Sequence, residues 1–441
     1  MNGPVVRVGV LGCGTVGSSL IALLDRQRDT VATRTGLRLE VVRVAVRDLS
    51  RPRPAELPES ALTTDAASLV VDPEVDVVVE LIGGVEPART LVLDALAAGK
   101  PVVTANKALL ATHGAELFAA AEKAGVDLLF EAAVAGGIPF VRPLRESLLG
   151  EPVSRVLGIV NGTTNYILTR MTESGAAYAD ALAEAQALGY AEADPSADVD
   201  GLDAAAKIAI VASIAFGAEI TADDVVAEGI SGVTAADIAF AGRHGFVVKL
   251  LALAELVDGA DGPEVGVRVN PVLVPGTHPL ASVRESFNAV FVEGGAVGDL
   301  MFYGRGAGGD PTASAVLGDL VDAAANLSSG AHASIGTLAP VRVRPPEESS
   351  SAYYVSIGAA DRPGVLAAVA GVFGRHGVSI ASMEQEAQGQ ADMEAGAARI
   401  EFVTHLALER DLRATLAELH DLDAVRHVGS VIQVLTDETD A

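Results

Sequence analysis

Val5-Val6-Arg7-Val8-Gly9-Val10-Leu11 runs straight into Gly12-Cys13-Gly14-Thr15-Val16-Gly17, and a helical pattern follows from Ser18 to about Arg28. A β-branched run, a glycine turn and a helix, in that order, predict the opening of a dinucleotide-binding unit. Gly-x-Gly-x-x-Gly alone is a weak signal; its place between a strand and a helix makes it a strong one. Gly12 permits the tight turn and Gly14 lets the backbone approach a pyrophosphate. The helix start at Thr15, Val16 and Gly17 offers N–H donors and a positive dipole end. The alternative is a strand–helix turn with no ligand.

Outward from this unit the alternation continues. Strands are predicted at 39–46, 75–81, 102–104 and 127–132, with helices at 88–98 and 109–124. Near-continuous Val, Leu and Ile strands alternating with helices indicate a parallel sheet covered on both faces. The expected fold class is α/β, with an N-terminal Rossmann dinucleotide-binding domain over 1–135, completed by a helix from about 310–328. From Gly136 longer helices (178–188, 202–216) mix with strands near 155–160 and 249–256, which reads as an α+β catalytic and dimerisation domain over 136–343. Arg344-Pro345-Pro346-Glu347-Glu348-Ser349-Ser350-Ser351 is polar, proline-led and aperiodic, so 344–352 reads as a linker. Over 353–435 the order strand, helix, strand, strand, helix, strand gives the split plan of a ferredoxin-like domain. Its Gly-, Ala- and Gln-rich stretch 387–398 is expected to be a mobile loop.

Composition narrows the function. The 441 residues, 50% hydrophobic, support several domains with ample core. A net charge of -27 argues against a nucleic-acid partner, because phosphate binding needs a concentrated basic patch. Cys13 has no second cysteine for a disulfide or a thiolate zinc site, which fits a reducing cytosol. No basic leader precedes Val5, and the longest apolar stretch, 208–218, falls short of the ~20 residues that span a bilayer. A soluble, cytoplasmic protein without a membrane partner is expected. Five lysines (Lys100, Lys107, Lys123, Lys207, Lys249) stand among 31 basic residues, so each is a candidate for work that needs a compact, deprotonatable charge.

The second predicted strand ends at Val46-Arg47-Asp48. An NAD site usually presents an acid there to the ribose hydroxyls. Arg47 stands in that place, and a guanidinium matches a 2′-phosphate, which favours NADP, with Arg51 and Arg53 as further candidates. Asp48 is adjacent, so NAD use stays open, as does Arg47 as a solvated surface charge. Leu81-Ile82-Gly83-Gly84 and Thr104-Ala105-Asn106-Lys107 follow the next two strands at the sheet edge where ligands bind. Lys107 therefore points toward the cofactor cleft, where its charge can hold a substrate oxygen. Its alternative, a helix-start lysine facing water, is unfavourable against the dipole.

Glu131-Ala132-Ala133-Val134-Ala135-Gly136-Gly137-Ile138 leads into the second domain and reads best as a hinge, although a carboxylate beside glycine-rich backbone can also gather carbonyl oxygens around a hard cation. Farther on, Glu192, Asp194, Asp198, Asp200 and Asp203 crowd one segment and require a positive partner. Asp203 and Lys207 are four apart on one helix face. They read either as a structural ion pair or as part of a site for an ammonium-bearing substrate. The turns 160–165 and 301–312 cap helices, and the glycine excess around Gly306 suggests backbone contact with cofactor or substrate.

Taken together these stretches resemble homoserine dehydrogenase from about Val5 to Val434. The resemblance rests on Gly-Cys-Gly-Thr-Val-Gly (12–17), Thr-Ala-Asn-Lys-Ala (104–108), Val-Asn-Gly-Thr-Thr-Asn-Tyr-Ile-Leu (160–168), Leu-Gly-Tyr-Ala-Glu-Ala-Asp-Pro (188–195), Asp-Val-Asp-Gly-Leu-Asp-Ala-Ala-Ala-Lys (198–207) and Tyr-Gly-Arg-Gly-Ala-Gly (303–308). The tail, with Asp361-Arg362-Pro363-Gly364-Val365-Leu366, is similar to an ACT domain. The resemblance implies interconversion of L-homoserine and L-aspartate 4-semialdehyde with NAD(P)(H), in the biosynthesis of threonine, methionine and isoleucine. Lys207 would be the acid/base and Lys107 its partner in polarising the aldehyde, while Glu192, Asp198 and Asp203 hold the substrate. Gly12, Gly14, Thr15, Val16, Gly17, Arg47, Lys107 and Gly306 would contact the cofactor. Glu131 with the carbonyls of Val134, Gly136 and Ile138 would bind sodium, in place of the plain hinge. The ACT resemblance implies a homodimer or homotetramer inhibited by L-threonine.

Two rivals are a 2-hydroxyacid dehydrogenase with an ACT tail and a nucleotide-plus-amino-acid sensor. The first wants a Glu-paired catalytic histidine, and none of the eight histidines sits in such a motif. The second has no need of the two lysines.

Overall fold

The computed structural model of the chain describes residues 3–51, 57–386 and 397–436. Arg53 and residues 387–396 of the expected loop lie outside the described residues. The first domain comprises β1 (Val5–Leu11), α1 (Thr15–Thr35), β2 (Arg38–Ala45), β3 (Leu62–Thr63), α2 (Ala66–Val71), β4 (Val77–Glu80), α3 (Ala88–Ala97), β5 (Val102–Thr104), α4 (Lys107–Ala124) and β6 (Leu128–Leu129). Its sheet is parallel in the order β3-β2-β1-β4-β5-β6. Val8, Val10, Val77, Val78 and Val79 are fully buried because helices cover both faces. Strand order reverses between β1 and β4, and the crevice outside their C-terminal ends is where such sheets bind ligands.

The second domain contains β7 (Val153–Ile159), α5 (Gly162–Ser174), α6 (Tyr178–Ala187), α7 (Ser196–Val199), α8 (Leu202–Phe216), β8 (Val226–Ala227), α9 (Ala235–Arg243), β9 (Phe246–Gly259), β10 (Gly262–Pro275), β11 (Phe287–Gly294) and β12 (Gly298–Arg305). The sequence reading found β7 and part of β9 but not β10, β11 or β12. Pro263, Pro271 and Pro275 in or at the end of β10, and the glycines that bound β11 and β12, mask the alternation that marks a strand. After β12 the chain returns as α10 (Gly309–Ser329), whose Ala313, Val316, Leu320, Ala323 and Ala324 pack with Leu20 and Leu24 of α1 and with Val8 and Val10. That spacing is one face of a helix.

β13 (Arg342–Val343) precedes the tail, which is β14 (Ser350–Ala360), α11 (Val365–Arg375), β15 (Ile380–Glu386), β16 (Ala397–Thr404), β17 (Ala407–Leu408), α12 (Glu409–His420) and β18 (Val425–Val434). One sheet runs through both parts in the order β12-β11-β7-β9-β10-β18-β14-β16-β15. The join is a short parallel pairing of Val272 with Gln433 and Leu273 with Val434. The stretch 344–352 is therefore not the loose linker its composition suggested. β13 pairs with Glu264 and Val265 of β10, Arg344 N donates to Val265 O at 2.9 Å, a helical turn spans Pro346–Glu348, and β14 begins at Ser350. A proline-rich polar run stays ordered here because a sheet edge takes its backbone hydrogen bonds. No helix among the described residues is long and apolar enough to cross a membrane.

Candidate active site

The glycine turn is built as its residue types require. Gly12 has φ +100°, and a Cβ there would lie 2.8 Å from Leu81 O; on Gly17 it would lie 2.3 Å from Gly12 O. At Gly14 it would meet nothing within 4 Å, so the backbone is open on that side. Gly14 caps α1 with no side-chain hydrogen bond, which leaves first-turn N–H groups of Thr15, Val16 and Gly17 for a phosphate. Arg47 follows β2, exposed and without an ion pair among the described residues, while Asp48 turns onto Ser50 N and Oγ at 2.8 and 2.7 Å. Gly306 adjoins the hinge, since a Cβ on Gly136 would meet its main chain at 2.4 Å, and three residues on, a Cβ on Gly309 would meet Ser19 Oγ of α1 at 2.9 Å.

Lys107 is held by a network that sequence reasoning missed. Glu80 ends β4 fully buried; its Oε1 accepts from Ile82 and Gly83 N–H at 2.8 and 3.1 Å, and its Oε2 from Thr104 Oγ1 at 2.6 Å. Thr104 Oγ1 accepts from Asn106 N at 3.0 Å, and Asn106 donates to Gly84 O at 2.7 Å while capping Leu109 N at 3.1 Å. These bonds lock the ends of β4 and β5 together and fix the first residue of α4, Lys107. The available signal was a lone acid closing the run Val77-Val78-Val79-Glu80.

From the other domain, Asp203 in the first turn of α8 meets both lysines. Lys107 Nζ is 3.1 Å from Asp203 Oδ1, and Lys207 Nζ donates to Asp203 Oδ2 at 2.6 Å and to Val160 O at 2.7 Å. Asn161 Nδ2 donates to Asp198 Oδ1 at 2.7 Å and Asp203 Oδ2 at 2.8 Å, so the strand–helix turn after β7 joins the two acids. Lys207 and Asp203 are buried and Lys107 is half-buried. Burial alone would raise the Asp203 carboxyl, but the charges of Lys207 and Lys107, with hydrogen bonds from Lys207 and Asn161, hold it well below the usual range. The other acids are dispersed: Asp194 turns onto Ser196 N and Oγ, and Glu192 is exposed with no side-chain bond to this group among the described residues.

The hinge carries a second buried carboxylate. Glu131 Oε1 accepts from Phe140 N and Val141 N at 2.6 and 2.7 Å, its Oε2 from Arg142 N at 2.8 Å, and Glu131 N donates to Asp319 Oδ2 at 2.7 Å. The side chain expected to gather a cation instead clamps three N–H groups. Ala135 and Gly136 adopt φ +55° and +60°, and the carbonyls of Val134, Gly136 and Ile138 accept no backbone N–H among the described residues. Burial raises the carboxyl of Asp319 to about 7, opposed by Glu131 N and Arg142.

Models of known families match the chain in three places. Residues 12–131 match the NAD-binding domain of homoserine dehydrogenase, 139–321 homoserine dehydrogenase, and 353–424 the ACT domain. Homoserine dehydrogenase from Corynebacterium glutamicum is 51% identical over 99% of this chain and 97% of its own length. The chain belongs to the homoserine dehydrogenase family. The enzyme is also 52% identical to homoserine dehydrogenase from Mycobacterium tuberculosis, over 97% of each chain. A solved homoserine dehydrogenase from Thiobacillus denitrificans matches with a TM-score of 0.90 at 41% identity, over 99% of both chains. A hyperthermophilic archaeal homoserine dehydrogenase in complex with NADPH matches 73% of this chain and 98% of its own at a TM-score of 0.61 and 27% identity. The enzyme is thus an NAD(P)-dependent oxidoreductase, which sets aside the hydroxyacid dehydrogenase and sensor readings.

Proposed function

We propose that the enzyme reduces L-aspartate 4-semialdehyde to L-homoserine with NADPH at the junction of its first two domains, with Lys207 as the proton donor. The observation that carries this is a single carboxylate, Asp203, held between Lys107 of one domain and Lys207 of the other. NADPH at the glycine turn supplies the hydride. An ammonium has three donors, and Lys207 spends two on Val160 O and Asp203, which leaves one for the aldehyde oxygen. As that oxygen gains negative charge it is stabilised by both lysines and takes its proton from Lys207. Asp203, with Asp198 and the exposed Glu192, supplies negative charge for the substrate ammonium.

Exposed Arg47, beside an Asp48 committed to Ser50, supports NADP over NAD. The carbonyls of Val134, Gly136 and Ile138 accept no backbone N–H among the described residues, which supports our assignment of sodium, a hard cation that takes oxygen ligands, to them. Strand β15 ends the sheet, an edge onto which another copy can add, which supports a homodimer or homotetramer. The tail is assigned to inhibition by L-threonine. Initial rates of NADPH and NADH oxidation with the semialdehyde test the core of this reading: turnover with a higher kcat/KM for NADPH is expected. Absence of semialdehyde-dependent oxidation of either cofactor overturns it.

A further inference from the structure

Lys249 of β9 is a buried charge that the lysine–aspartate group does not use. It is 2% exposed and makes no ion pair among the described residues; its Nζ donates to Asn165 Oδ1 at 3.0 Å and to Val283 O. The charges that act on it, Glu173 of α5 and Arg284, are paired with each other. An ammonium taken out of water with no carboxylate beside it is costly, and an apolar side chain would fill the same space at lower cost.

A second unfavourable feature lies next to the first. Glu285 has φ +53°, a left-handed conformation that strains a residue with a Cβ and that clusters at functional sites. It is held from both sides: Glu285 N donates to Thr169 Oγ1 at 3.1 Å, and Glu285 O accepts from Asn165 Nδ2 at 2.8 Å. Asn165 Nδ2 also donates to Phe287 O at 3.2 Å, and Thr169 Oγ1 donates to Asn165 O at 2.7 Å. One buried carboxamide, Asn165, thus ties Lys249, the 283–287 turn and α5 together.

This turn bears on the start of α5. A Cβ on Gly162 would lie 2.8 Å from Ser286 O, so the turn and the helix start are in direct contact. One residue earlier, Asn161 caps α5 by accepting from Thr164 N at 2.9 Å, and the same carboxamide donates to Asp198 and Asp203. Val160 O, the residue before that, takes a hydrogen bond from Lys207. The two groups that aim Lys207 and Asp203 therefore sit on a helix start whose place is set by Ser286 and Asn165.

We propose that Lys249 and Asn165 are positioning residues for the reaction: they lock the strained 283–287 turn against the start of α5 and thereby fix Val160 O and Asn161, which aim Lys207 and Asp203. The assignment rests on the reading of Lys207 as proton donor given above. Among the described residues neither Lys249 nor Asn165 bonds to Lys107, Asp203 or Lys207, so each acts through the turn and the helix. Displacing a reacting group by ~1 Å can lower a rate about 10²-fold.

The test uses the full-length enzyme and homoserine oxidation by NADP+. Lys249→Met and Asn165→Asp are each expected to lower kcat at least about tenfold, with NADPH binding within about twofold of the parent. The solvent deuterium isotope effect on kcat should rise in both, because proton transfer involving a misaimed Lys207 limits the rate more. A purely structural role would lower the melting temperature and leave that isotope effect where it was. Asn165→Asp keeps the acceptor for Lys249 and loses only the donors to Glu285 O and Phe287 O, so it decides the outcome if Lys249→Met folds poorly. Lys207→Ala, measured alongside, separates the two readings. Slow turnover in Lys207→Ala with parental kcat and isotope effect in Asn165→Asp overturns the positioning role and leaves the proton donor in place. Parental turnover in Lys207→Ala overturns both.

Discussion

A lysine at the start of α4 faces the positive end of that helix, and an ammonium in the apolar, alanine-rich α8 loses its hydration; Asp203 compensates both. Replacing Lys207 by Ala is therefore expected to lower kcat by about 10²–10⁴-fold, the contribution of a positioned general acid, with NADPH binding nearly unchanged because the glycine turn lies in the other domain. Titration of NADPH binding alongside steady-state rates checks this, and a variant within about threefold of the parent would refute Lys207 as proton donor. Arg47→Ala should raise the KM for NADPH far more than that for NADH; equal effects would show that Arg47 does not read the 2′-phosphate. Both lysines were legible because lysine is scarce among the cations of this chain. Their meeting on one carboxylate was not, since Lys107 and Asp203 lie in different domains and no local spacing connects them. Glu80 and the bridging role of Asn161 were hidden for a similar reason: each acts through groups brought close only by the fold.

At the scale of elements, β9 shows what the sequence signals reach and where they stop. Its apolar run was legible, but the proline-broken β10 beside it was not, and neither was the burial of Lys249 between them and α5. Lys249 is 2% exposed and donates to Asn165 Oδ1 at 3.0 Å and to Val283 O; Asn165 in turn donates to Glu285 O at 2.8 Å and Phe287 O at 3.2 Å. Burial lowers the ammonium to about 8. Between that pH and the ordinary lysine value of about 10.4 the unfolded chain keeps a proton that the folded chain has released, so stability rises with pH across this window. Below about pH 8 both states are protonated and the contribution is flat. Lys249→Met removes the titration, so the stability of the parent relative to the variant should climb by up to roughly 3 kcal/mol from pH 8 to 10. Paired thermal melts at several pH values check the direction; a constant difference would show that Lys249 titrates normally.

For the whole molecule, the three-part outline and the β-α-β-β-α-β order of the tail were legible from element order, whereas the docking of the tail was not, because a composition-based linker says nothing about which edge its neighbour will take. The tail completes the catalytic sheet: Ala352, Tyr354, Ile432 and Val434 pack in the same apolar cluster as Phe240 and Leu273, and Asp237, with no exposed surface, takes hydrogen bonds from Tyr354, Arg399 and Ser430. Burial of a large apolar side chain contributes about 1.5–3 kcal/mol, and a buried carboxylate stripped of its partners adds a further loss. Deleting residues 350–441 should therefore destabilise the remaining enzyme. We expect the truncated chain to melt at least about 5 °C lower and to associate through the uncovered face of α9. Differential scanning calorimetry with sedimentation velocity measures both effects. A truncated enzyme that stays dispersed and melts within about 2 °C of the parent would mean that the shared sheet carries little of the stability. The tail would then be an appended module, and the short β10–β18 pairing would be its main tie to the catalytic sheet.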